Sequence, residues 1–353
     1  MKILIVTDAW HPQVNGVVRT LGHLAREAQA MGVDVEFLSP DQFRTLPMPS
    51  YPEIRLAMAG AGRIERRLDR VQPDAIHVAT EGPLGHAMRR VCLRRGSPFT
   101  TSFHTRFPDY LAGRLPAPEH WISEMTWAWL RRFHAPGAAL LAATPTLASE
   151  LTVRGFKNVK LWPRGVDANL FRPRANAGLG LPRPIFLTVG RLAVEKNLEA
   201  FLELDLPGTK LVVGDGPARN TLARKFPDAV FMGARHGEAL AEVYAASDVF
   251  VFPSHTDTFG LVLLEALASG VPVAAFPAAA PRDVIGEAPV GVLDEDLRRA
   301  CLGALECSRE ECRGYALGMT WAASARIFLD HVTQAAKSVR KPTAAQTSPL
   351  ILA

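Results

Sequence analysis

Val251-Phe-Pro-Ser-His-Thr-Asp257-Thr-Phe-Gly260-Leu-Val-Leu-Leu-Glu265-Ala-Leu-Ala-Ser-Gly270 opens on the end of a strand-like run and closes as an apolar helix. Between the two lies a polar loop, so the segment reads as half of a βα unit. The same rhythm extends outward. Upstream stand IFLTVG (185–190), KLVVGDG (210–216) and AVFMG (229–233); downstream stands VPVAAF (271–276). The first half repeats it with KILIV (2–6), a helical pattern over Val18 to Ala30, VDVEFLSP (33–40), DAIHVAT (74–80), FTTSFHT (99–105) and ALLAATP (139–145). Strands alternating with helices at this spacing predict parallel sheets wound on both faces, with ligands at the carboxyl ends of the strands. The alternation pauses from Phe171 to Pro184, where Pro173, Gly178, Gly180, Pro182 and Pro184 crowd together and suggest a linker. The expected fold is α/β, two Rossmann-like doubly wound domains facing a cleft. Residues 1–172 form the first, residues 173–337 the second, and 338–353 a disordered tail.

Composition narrows the classes. At 353 residues, with 48% hydrophobic and 21% charged residues, the chain has the profile of a globular protein of about two domains. Its net charge of +5 is too small to argue for nucleic acid. The charge is unevenly spread: residues 1–172 hold 22 Lys/Arg against 15 Asp/Glu, and residues 173–353 hold 18 against 20. A basic first domain faces something anionic. Cys92, Cys301, Cys307 and Cys312 form no CxxC pair and are read as reduced thiols. The apolar run Ile3 to Val6 is too short for a signal-peptide core, and no window of ~18 apolar residues could span a membrane. A cytoplasmic protein, free or seated on a surface, is expected.

Several segments carry chemistry. Arg191 follows Gly190 at a strand's carboxyl end, and Lys196 lies near the next helix start. Two cations so placed suit a pyrophosphate, although an exposed loop pair is the plainer reading. Gly214 and Gly216 would let a ligand approach the backbone, or simply make a tight turn. No GxxxxGK[ST] occurs. Asp257 and Glu265 are carboxylates eight residues apart, flanking Phe259-Gly260-Leu261. A helix starting near Gly260 would aim its free N–H groups at a phosphate. Asp257 could be only a cap, yet Glu265 sits in an apolar helix where an unpartnered carboxylate is costly. In the first half, Trp10-His-Pro-Gln-Val-Asn15-Gly16-Val17 links a strand to a helix, and His104 ends a strand-like run at the cleft edge.

With these residues the sequence resembles the retaining nucleotide-sugar glycosyltransferases of glycosyltransferase family 4, which have the two-Rossmann GT-B fold. The resemblance runs from Met1 to about Val332, and its most specific part is Asp257 to Glu265, similar to the family's acidic E-x7-E signature. It implies that Arg191 and Lys196 neutralise the donor pyrophosphate and the departing nucleoside diphosphate, with Gly16 offering a backbone N–H from across the cleft. It implies that Glu265 holds the ribose hydroxyls, and that Asp257 with the N–H groups of Phe259, Gly260 and Leu261 holds the transferred sugar and phosphate. His104 would lie against the sugar, and Gly214 and the Gly233 to Arg235 turn would border the base. No metal or other cofactor is implied, which leaves Asp294-Glu295-Asp296 as a solvated run. The chain departs from the family in carrying Asp257 where Glu is usual, and alanines in the loop Phe276 to Pro281.

For the acceptor, Arg63, Arg66, Arg67 and Arg70 share one helical face, opposite Ile64, Leu68 and Val71. Arg89-Arg90, Arg94-Arg95 and Arg131-Arg132 add basic pairs, the last beside Trp127 and Trp129. Such a surface suits an anionic bilayer, or it is an ordinary solvated face. The sequence resembles the bacterial branch of diacylglycerol glycosyltransferases and GDP-mannose-dependent α-mannosyltransferases. This implies a peripheral enzyme on the inner face of the cell membrane, with UDP-glucose or UDP-glucuronate as favoured donor and diacylglycerol as lipid acceptor. The alternative is a GDP-mannose-dependent enzyme acting on a glycan or lipid-linked acceptor. More distant readings are a nucleotide-sugar epimerase, a phosphorylase or a non-catalytic nucleotide-sugar sensor. No nucleic-acid partner is expected.

Overall fold

A computed structural model describes residues 1–11, 15–48, 51–106, 118–175 and 177–338. The expected tail, apart from its first residue, lies outside them, as do Pro12, Gln13 and Val14 of the opening loop. The strands of the first half are β1 (Lys2–Val6), β2 (Asp34–Leu38), β3 (Thr45–Met48), β4 (Tyr51–Ala57), β5 (Ala75–Val78), β6 (Thr100–Ser102), β7 (Ala139–Ala142) and β8 (Val159–Leu161). Those of the second are β9 (Ile185–Val189), β10 (Thr209–Val213), β11 (Val230–Gly233), β12 (Val249–Phe252), β13 (Val273–Ala275) and β14 (Gly291–Leu293). The first sheet runs β2-β1-β5-β6-β7-β8 and the second β11-β10-β9-β12-β13-β14, with every pairing in both parallel.

Both sheets are covered on both faces, which is why their strands read as unbroken apolar runs. In β1, Leu4 and Val6 pack on the helices Ala61–Val71 and Pro83–Arg95, while Ile3 and Ile5 face the opposite core. In β12, Phe250 and Phe252 enter one core and Val249 and Val251 the other. Antiparallel β3 and β4 form a hairpin that the sequence reading passes over, since Pro47 and Pro52 break its pattern.

The expectation that residues 173–337 form one domain needs correction. The Trp321–Ser338 helix returns to the first domain, where Ala325, Phe328 and Val332 join Ile3, Ile5 and Leu21 in one core. Trp162, fully buried, donates its Nε1–H to Ser324 Oγ at 3.1 Å, and Ser324 Oγ donates to the Pro163 carbonyl at 2.7 Å. The His23 ring stacks on Trp321 with centroids 4.7 Å apart. Burial, then the charges of Arg26 and Arg19, lower the His23 pKa to about 4, so the stack is neutral near pH 7. This helix is apolar on one side because it closes a core distant in sequence.

Candidate active site

In a doubly wound sheet the crevice opens where the strand order reverses. In the second sheet that point lies between β9 and β12. The loops leaving these two strands carry Arg191 and Lys196 on one side and Asp257 on the other. Lys196 closes a short 3-10 turn, Val194–Lys196, and its Nζ donates to Asp257 Oδ1 at 2.6 Å. The second oxygen, Asp257 Oδ2, is buried with no hydrogen-bond partner among the described residues. Arg191 stands half-buried on the same loop. The chain then turns at Gly260, whose φ of +78° suits glycine, into the helix Leu261–Ala268. No side chain among the described residues caps that helix, and Phe259, just before the turn, is buried.

The first domain supplies the facing wall. His104 lies just beyond β6, and its carbonyl accepts a hydrogen bond from Thr258 Oγ1 at 3.0 Å, tying the two walls together beside Asp257. His104 Nε2 is buried without a partner among the described residues. Burial, then the positive charge of Arg164, hold the imidazole well below its usual pKa, so it is neutral near pH 7. Four buried side-chain atoms lack a hydrogen-bond partner among the described residues, and these two, unlike Arg67 Nε and Arg174 Nε, lie one on each wall beside the Thr258–His104 contact. Gly16 opens the helix Gly16–Ala30, and a Cβ there would meet nothing within 4 Å. Asn15 Oδ1 already accepts from the Val17 and Val18 N–H groups, each at 3.0 Å.

Two expectations change, for Glu265 and Trp127, and the glycines at 214 and 216 gain a packing reason. Glu265 is not an unpartnered carboxylate: Arg19, on the opposite domain, pairs with Oε1, and the buried Tyr244 hydroxyl donates to Oε2 at 3.1 Å. Burial works against the Arg19 charge, and Glu265 overrides it, leaving the guanidinium pKa raised. Burial, then the Glu265 charge, push the Tyr244 phenol well above its ordinary value. Gly214 owes its identity to packing, since a Cβ there would lie 1.8 Å from the Gly190 carbonyl oxygen; Gly216 is likewise pressed on Leu192. Trp127 is a core residue stacked 5.9 Å from Phe103, with the Arg154 guanidinium 4.2 Å over its ring. The exposed apolar side chains of that helix are Trp121, Met125 and Trp129.

The remaining residues divide by place. Arg235 is exposed after β11, on the carboxyl edge of the sheet. Asp294 pairs with Arg299 and Asp296 caps the helix Leu297–Ala304, which accounts for that acidic run. Arg63, Arg66 and Arg70 are exposed; Arg67 is half-buried and pairs with Glu36 at 2.9 Å. Arg94 and Arg95 are neutralised by Glu65 and Asp69. The four cysteines are free thiols. Among the described residues no helix is long and apolar enough to cross a membrane. The sequence reading missed Arg19, Tyr244, Thr258 and Arg164, whose partners all lie far along the chain or on the other wall.

Comparison with known proteins bears on this geometry. Residues 14–170 match Glycosyltransferase Family 4 and residues 183–306 match Glycosyl transferases group 1. The chain is 34% identical over 318 residues to a GDP-mannose-dependent alpha-mannosyltransferase of Mycobacterium tuberculosis, covering 83% of each chain. It is 27% identical to an alpha-monoglucosyldiacylglycerol synthase of Streptococcus pneumoniae, covering 86% of this chain and 78% of that one. A sucrose-phosphate synthase structure from Thermosynechococcus elongatus superposes with a TM-score of 0.77 at 20% identity, over 94% of this chain and 98% of that one. The chain therefore belongs to glycosyltransferase family 4, and is a GT-B hexosyltransferase.

Proposed function

We propose that the protein is a retaining α-hexosyltransferase that moves a sugar from a nucleotide sugar to a lipid-borne acceptor. The observation that carries the reading is the pair of orphaned atoms, His104 Nε2 and Asp257 Oδ2, on opposite walls of one crevice with Lys196 on the same carboxylate. In this reading Asp257 and His104 hold the sugar hydroxyls. Arg191, Lys196, the Gly16 N–H and the uncapped helix start at Phe259, Gly260 and Leu261 hold the diphosphate. Arg235 borders the base. Glu265 takes the ribose in concert with Arg19. The acceptor hydroxyl oxygen forms the new bond to the anomeric carbon as the carbon–phosphate oxygen bond breaks. Its proton passes to the departing phosphate on the same face, which retains configuration. Cations fixed beside that phosphate stabilise charge where it develops. No metal is required in this scheme.

The relatives' names move the donor preference. The sequence reading places UDP-glucose or UDP-glucuronate first, whereas the 34% identical relative is named for GDP-mannose, and we place GDP-mannose first. The diacylglycerol synthase relative supports a glucosyl donor with diacylglycerol as the second reading. Incubating the protein with GDP-mannose, UDP-glucose or UDP-glucuronate and vesicles containing diacylglycerol or glycosylated diacylglycerol distinguishes them by mass spectrometry of the lipids. A hexosyl lipid from one donor is expected, and none from Arg191→Ala. Release of nucleoside diphosphate with no sugar on any lipid would remove the lipid acceptor.

We further propose that the exposed face of Arg63, Arg66 and Arg70 seats the first domain on anionic lipid. At about 1 kcal/mol per basic residue near such a surface, changing all three to alanine should weaken partition to anionic vesicles roughly 100-fold. Unchanged sedimentation with phosphatidylglycerol vesicles would sink the membrane part alone.

A further inference from the structure

Arg164 is a buried guanidinium, 5% exposed, with which no carboxylate pairs among the described residues. Buried charges are ordinarily paired, because desolvation is otherwise uncompensated. Burial lowers the Arg164 pKa to about 9, which leaves it charged at pH 7. What holds it is a stack on the Trp162 ring, 4.0 Å from guanidinium carbon to centroid, and donation from Nη1 to the Trp162 carbonyl at 2.6 Å. Trp162 is in turn fixed by Ser324 of the returning helix and by Phe328, 4.9 Å away. The guanidinium so anchored sets Nη2 3.5 Å from His104 Nδ1.

A guanidinium has only N–H donors, so the nitrogen that faces it must be the unprotonated one. We propose that Arg164 is a positioning residue that holds neutral His104 with its proton on Nε2, the atom left without a partner at the sugar-binding wall. Nε2–H is then a fixed donor to a hydroxyl of the transferred sugar, and the role of Arg164 rests on that reading of His104. The same contact explains why a charge is kept where an apolar residue would pack. Other charged or titratable groups around His104 are His77 on β5 and His134 on the Glu119–His134 helix. On the opposing loop Thr258 is uncharged and Asp257 is paired with Lys196. His77 is neutral, lowered to about 3 by burial and then by Arg164, and its two ring nitrogens are taken by Thr100 and Ser102. Among the described residues only Arg164 meets Nδ1 of His104.

The test is long-range proton–nitrogen NMR of imidazole-labelled full-length protein, run beside steady-state kinetics. The wild type should show His104 protonated on Nε2 alone, with no titration near pH 6.5. Arg164→Met should give mixed tautomers, a kcat about 10- to 100-fold lower from loss of alignment, and little change in donor KM. Its acid limb should move to higher pH, because a positive charge that disfavours the imidazolium is gone. Arg164→Lys keeps charge and donors, so it should restore the tautomer in part and guards against a folding defect in Arg164→Met. Protonation of His104 on Nδ1 in the wild type, or an unchanged Nε2–H tautomer in Arg164→Met, would overturn the proposal. If instead the tautomer depends on Arg164 but His104→Ala keeps full activity, the sugar-contact reading fails and the positioning stands.

Discussion

Lys196→Ala is expected to lower kcat/KM by about 100- to 1000-fold, the loss typical of one preorganised donor at a developing negative charge. Two effects add in that change. The departing diphosphate loses a cation, and Asp257, whose Oδ2 has no partner among the described residues, loses the partner of Oδ1 as well. An uncompensated carboxylate then sits where phosphate must enter, and repels it. Asp257→Asn in the same background should recover part of the loss, because it removes that charge; the double-variant cycle measures the coupling. Initial rates of nucleoside diphosphate release at saturating acceptor provide the readout. A Lys196→Ala enzyme within twofold of wild type would take Lys196 out of the site.

Glu265→Ala is expected to cost stability as well as activity. Its side chain is 3% exposed and binds Arg19 from one domain and Tyr244 from its own. Truncation strands the half-buried Arg19 guanidinium and the buried Tyr244 hydroxyl, a loss of about 3 kcal/mol, the low end for a broken buried pair because Arg19 keeps contact with water. For a domain of this size that lowers Tm by roughly 10 °C, measured by calorimetry. Arg19→Met with Glu265→Leu removes both charges together and should regain part of the stability, the remainder staying lost to the unpaired Tyr244 hydroxyl. Donor binding separates structure from function. The stable double variant should bind nucleoside diphosphate at least tenfold more weakly, in line with the loss of a charge-assisted hydrogen bond. Affinity equal to wild type would leave Glu265 and Arg19 as an interdomain clasp only.

A second clasp, Thr146 with Asp283, shows how the walls are joined away from the chemistry. The Thr146 N–H donates to Asp283 Oδ2 at 3.0 Å and its hydroxyl to Oδ1 at 2.7 Å. Asp283 lies in the helix Ala279–Ile285 that follows β13. Nothing in its local sequence marks it as an interdomain contact.

The sequence by itself determined the two wound sheets and the loops that carry Arg191, Lys196, His104 and Asp257. A strand buried on both faces must be continuously apolar, and a parallel crossover must place a polar loop at its carboxyl end; both are local patterns. Tertiary structure alone decided who partners whom. Arg19 meets Glu265 across 246 residues, Trp162 meets Ser324 across 162, and Arg164 meets His104 across 60. That Gly214 must be glycine because the Gly190 backbone lies where a side chain would be is likewise a tertiary fact. The apolar stripe of Trp321–Ser338 declared a buried face without saying which domain would bury it. Hydrophobic periodicity fixes how an element presents its faces, but a pairing between distant side chains exists only once the elements are packed, within a domain as for Arg164 and His104 or between domains as for Arg19 and Glu265.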